Sequence, residues 1–130
     1  MKTNIEIKDK VFDILNVSDI TDSINGTLYN GKRPAGNDVD EDITIVALSV
    51  DSEFVQSATI TVNFYAKDTM EGVPNYGRFK EIFPKIYDRL VNYSSTEYLK
   101  INIDSQLIEE AQVKGWSLLS IRTNCQVLKS

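Results

Sequence analysis

The stretch "SATITVNFYA" (57–66) limits the possible folds more than any other part of the chain. Ala58, Ile60, Val62 and Phe64 share one side of an extended backbone; Thr59, Thr61, Asn63 and Tyr65 share the other. Strand side chains alternate with period two, so this strand has one apolar and one polar face. That pattern suits an antiparallel sheet covered on one side only. The cover is legible further on. In "GRFKEIFPKIYDRL" (77–90), Phe79, Ile82, Phe83, Ile86 and Leu90 recur at helical spacing.

A second helix opens the chain. Thr3 and Glu6 fit a capping box, and Ile7, Val11, Phe12, Ile14 and Leu15 form a broad apolar face. Val17, Ile20 and Ile24 continue it or form a second short turn, and Asn25-Gly26 reads as its stop. "TLY" (27–29) is a short strand, and "NGKRPAGNDVDED" (30–42) a long exposed loop, since Pro34 has no ladder donor. "DITIVALSV" (42–50) is a β-rich segment, joined to 57–66 by the hairpin connection "DSEFVQ" (51–56).

"KDTMEGVPN" (67–75) is a loop, with Asn75 placed to cap the helix after it. Pro84 inside that helix removes the hydrogen bond to the Lys80 carbonyl, which predicts a kink or a break. "YLKINI" (98–103), "QLIEEAQV" (106–113) and "SLLSIRTNCQVL" (117–128) read as strands, the last following a Lys114-Gly115 turn. The predicted fold is α+β: an antiparallel or mixed sheet of about five to six strands, with two main helices packed on one face. Its 130 residues suit a single domain spanning 1–130. No run of about 18 apolar residues is present, so no membrane span is expected.

Composition narrows the chemistry. The chain has no histidine, which excludes Ser-His-Asp and Cys-His catalysis and histidine metal ligands. Cys125 sits mid-strand beside Leu119 and Ile121 and reads as a small core residue. Asp38, Asp40 and Asp42 have the 1, 3, 5 spacing of a calcium loop, but Ile43 and Ser49 stand where glycine and glutamate are required. A solvated loop fits them better. Asp51 and Glu53 read as surface charge near a hairpin. Net charge is -5, with no basic face to hold nucleic acid. Trp116, Tyr65, Tyr76 and Tyr93 could mark a binding face, although packing is the better reading of them. No cofactor and no metal site are expected, and a binding or assembly role fits better than an enzyme.

The layout resembles the tail terminator family of long-tailed bacteriophages, also called tail-completion or tail-to-head joining proteins. Leu28-Tyr29 and Pro34 stand where that family has a short strand running into a Pro-containing loop. Ile60, Val62, Phe64, Tyr65 and Asp68 stand where a later strand ends at an aspartate before the second helix. The likeness covers about 5–128, through apolar and turn patterns of low specificity. It departs from the family in the acidic "DVDED" and in Pro84.

The resemblance implies a non-catalytic virion protein that assembles in the host cytoplasm and forms a homo-oligomeric, commonly hexameric, ring. The ring caps the tail tube protein at its head-proximal end and meets the head connector. DNA passes through it without specific binding, and no membrane is involved. Interface candidates on this reading are Lys32, Arg33, Pro34, Asp38, Asp40, Glu41, Asp42, Met70 and Trp116, with some of the four carboxylates facing the channel or its rim. A small α+β ligand-binding or regulatory domain is the alternative.

Overall fold

The computed structural model describes residues 4–33, 40–48, 57–70, 72–93, 99–111 and 114–127. The elements are α1 (Asn4–Leu15), α2 (Ser18–Thr21), β1 (Leu28–Tyr29), β2 (Ile43–Ala47), β3 (Ser57–Lys67), α3 (Tyr76–Tyr93), β4 (Leu99–Glu110) and β5 (Trp116–Val127). The fold is α+β. Five strands form one mixed sheet in the order β1-β2-β3-β5-β4. Among the described residues only β1 and β2 pair in parallel; the other pairs are antiparallel.

The alternation of β3 sets the layers. Ala58, Ile60, Val62, Phe64 and Ala66 are buried, while the residues between them are half-buried. Register extends this face across the sheet: Ile43 and Leu119 flank Phe64, and Ile45 and Ile121 flank Val62. Helices cover the same face, with Ile7, Val11, Ile14 and Leu15 from α1 and Phe79, Ile82, Ile86 and Leu90 from α3. Phe79 meets Phe64 edge to face, at 5.9 Å between centroids and 84° between planes. Arg89 ties the helices together by donating twice to the Ile14 carbonyl at the end of α1, at 2.9 and 3.1 Å. Cys125 lies in this core, and burial pushes its thiol up to about 11, partly offset by a hydrogen bond with Thr123.

Three expectations change. The two strands expected at 98–103 and 106–113 are one strand, β4, with an irregularity between Ile103 and Ser105 that inserts one residue against β5. α3 continues through Pro84, so of the expected kink or break the break does not occur. Pro84 and Lys80 both lie on the exposed side, so water can satisfy the released Lys80 carbonyl while Ile82 and Ile86 hold the buried side. Gly26 does not take the left-handed conformation; it is small because the Glu41 backbone and the Asp42 carboxylate pass where a Cβ would stand. The expected second turn is α2, and Asn75 caps α3 by accepting from the Arg78 N–H at 3.2 Å. Thr3, Asp51, Glu53 and the 51–56 connection lie outside the described residues.

Phe83 was expected in the core beside Phe79, but it is only half-buried. Phe79→Ala is therefore expected to cost about 3–5 kcal/mol in urea melts, and Phe83→Ala clearly less. A buried thiol with a raised pKa stays protonated at neutral pH. Native Cys125 is expected to react with a disulfide reagent at pH 8 only as fast as the protein opens, and fully in denaturant.

Candidate functional site

The loop from Asn30 to Asp42 carries most of the residues singled out in the sequence, and both of its described ends are clamped. Asp42 directly precedes β2 and shares the side of Thr44, opposite the helices. Its carboxylate accepts from the Thr27 N–H at 2.9 Å and pairs with Arg33 Nε at 3.2 Å. The Asp42 side chain is 1% exposed and that of Arg33 11%. The Arg33 guanidinium lies over the Tyr65 ring at 4.4 Å from its centroid and near Trp116 at 5.5 Å. It also donates to the Asp40 carbonyl at 3.3 Å. A delocalised guanidinium suits this place, because it stacks on aromatic faces while its edge meets a carboxylate.

A second clamp runs to the helix layer. Arg78, in the first turn of α3, grips Glu41 with two hydrogen bonds, at 2.7 and 2.8 Å. It also donates to the Ser23 carbonyl and to Glu81. The hydrogen bond to Glu41 outweighs the cost of partial burial and raises the Arg78 pKa further. The Glu41 N–H donates to Asn25 Oδ1 at 2.6 Å. On the other side of the loop, Asn30 donates to Asp9 of α1 at 2.8 Å. Adjacent carboxylates thus tie one loop to both layers: Asp42 to the open face of the sheet, Glu41 to α3.

These contacts revise the sequence-based interface candidates. Asp42 and Trp116 are buried within the subunit, and the Arg33 side chain, turned onto Tyr65 and Asp42, is 11% exposed. Glu41 is bound to Arg78, so neither Glu41 nor Asp42 is a solvated carboxylate available to a channel. Asp40 is half-buried, Lys32 is exposed and Met70 is 66% exposed. Pro34 and Asp38 lie outside the described residues. Of the four aromatics considered, Tyr65 and Trp116 serve the clamp and Tyr76 is exposed; the side chain of Tyr93 lies outside the described residues.

Sequence reasoning missed a surface at the other end of the sheet. Tyr76, Lys80 and Phe83 line an apolar cleft with Leu107 and Ile108; Phe83, Tyr87 and Val91 line the next cleft with Ile101 to Gln106. The signal was present as a second stripe on α3, one position round from the core stripe. No protein-family model and no curated protein matches the sequence.

The clamp separates two neighbouring bases that look alike in sequence. Arg33→Ala takes the guanidinium away from the buried Asp42 carboxylate and is expected to cost about 3–5 kcal/mol. Lys32→Ala is expected to stay within about 0.5 kcal/mol, both read by urea melts.

Proposed function

We propose that the chain is a non-catalytic assembly protein of the tail terminator kind. It forms a ring at the head-proximal end of a phage tail tube, stops the tube's growth and receives the head connector. The observation that carries this reading is the clamped loop. Its stem is fixed to β2, to α1 and to α3 by Arg33–Asp42, Asn30–Asp9 and Arg78–Glu41. A loop launched from a rigid stem loses little freedom on docking, which suits a contact that must form once and persist.

The family resemblance adds to this. Leu28-Tyr29 is the short strand that leads into the loop, and Asp68 closes β3 by accepting from Ser117 at 2.6 Å. A ring closes through heterologous contacts, and exposed Lys32 and Met70 stand on the two loops able to reach a neighbour or the tube.

The test is a tube-length assay with a tail tube protein from the same genome. Added protein is expected to arrest tube growth and appear as a ring at one end in electron micrographs. A variant with 34–39 replaced by Gly and Ser residues is expected to melt like the wild type but fail to arrest growth. Tubes that grow equally long with and without the wild-type protein would reject the reading.

A further inference from the structure

Among the described residues, no strand pairs with the outer edge of β4. That edge is twelve residues long and reads "LKINIDSQLIEE". A long open edge with apolar residues invites another strand, and stable proteins either blunt it or cover it. Apolar surface lies beside it on both faces: on the helix side Tyr76 is 52% and Tyr87 40% exposed, with half-buried Phe83 between them, and on the other side Leu107 is 57% exposed.

We infer that this edge is covered by the same edge of a second copy, in an antiparallel, two-fold symmetric pair. The first argument is register. Against β5, the inserted residue between Ile103 and Ser105 changes which numbers face the helices: Leu99, Ile101 and Ile103 before it, Gln106 and Ile108 after it. A symmetric pairing keeps each face with its own kind only when the numbers of opposed residues sum to an odd value. One such register places Ile101 opposite Ile108 beneath the helices, and Lys100 opposite Glu109 on the other face. Symmetry repeats each pair. Opposite charges directly across a ladder favour pairing, and like charges oppose it. The neighbouring odd registers set Lys100 against Leu107 or Ala111 and lose this match.

The second argument is position. The centre of that register falls between Asp104 and Ser105. Phe83 lines both clefts that flank those residues. The two-fold axis therefore passes beside Phe83. The Tyr76–Lys80 end of one α3 then lies against the Tyr87–Val91 end of the other. Strand and helix layer share one symmetry centre, as an isologous interface requires.

The inference does not rest on the tail reading. An isologous pair is not a ring contact, so it belongs to the protein before assembly. Light scattering of the purified chain is expected to give twice its 14.7 kDa mass. Lys100 and Glu109 are exposed, so their reversal spares the fold, which circular dichroism would verify. Lys100→Glu alone and Glu109→Lys alone are each expected to weaken the pair about tenfold or more, two repulsive contacts replacing two attractive ones. The double variant is expected to restore it. A wild-type monomer at high micromolar concentration overturns the inference. So do single variants that pair like the wild type, or a double variant that stays monomeric. Failure of tube arrest with the pair intact rejects only the tail reading.

Discussion

The ion pair between Arg33 and Asp42 decides where the longest connection near the N-terminus can go. Two nearly buried charges cost several kcal/mol each to desolvate, and proximity alone does not recover that. Here the carboxylate also accepts a backbone N–H from Thr27, and the guanidinium rests on Tyr65 and near Trp116. With those partners in place, both described ends of the loop are held at the open face of the sheet. Gly26 follows from the same constraint, since the chain carrying Glu41 and Asp42 runs against it. The parallel pairing of β1 with β2 follows as well, because Thr27 is held to Asp42 and to the Ile43 N–H.

Much of the fold was legible in the sequence because it is written in local periods. β3 alternates without a fault, α1 and α3 carry apolar residues at helical spacing, and Gly115 marks the hairpin between β4 and β5 with φ +88°. The candidate site was less legible, since its contacts join residues far apart. Arg78 and Glu41 are 37 positions apart, and nothing in either neighbourhood marks the other as a partner. "DVDED" therefore looked like a solvated acidic run, although its last two carboxylates are structural. Trp116 looked like a hot spot for the same reason. Reading β4 as two strands had a different cause: Asp104-Ser105 has turn composition but serves as an insertion within one strand.

The two exposed ends of the sheet are built differently. At one, β1 is two residues long and ion pairs clamp the following loop down. At the other, β4 is long, its edge open among the described residues, and its flank apolar. A short, clamped edge resists pairing with other strands, while a long apolar one invites it. The subunit is thus polarised across its sheet, with a rigid loop-bearing end and an adhesive end.

The strand order also has a consequence for biosynthesis. β3 is the central strand of the sheet, and one of its two neighbours is β5, whose Thr123 hydroxyl reaches back 63 positions to donate to the Ile60 carbonyl. A ribosome delivers β3 well before β5, and until then one full side of β3 has no ladder partner. A nascent chain in that state exposes an apolar edge of eleven residues, the kind of segment on which chaperones act and aggregates start. The vulnerable interval ends only when β5, made some fifty residues later, slides in beside β3 and closes this side of the sheet.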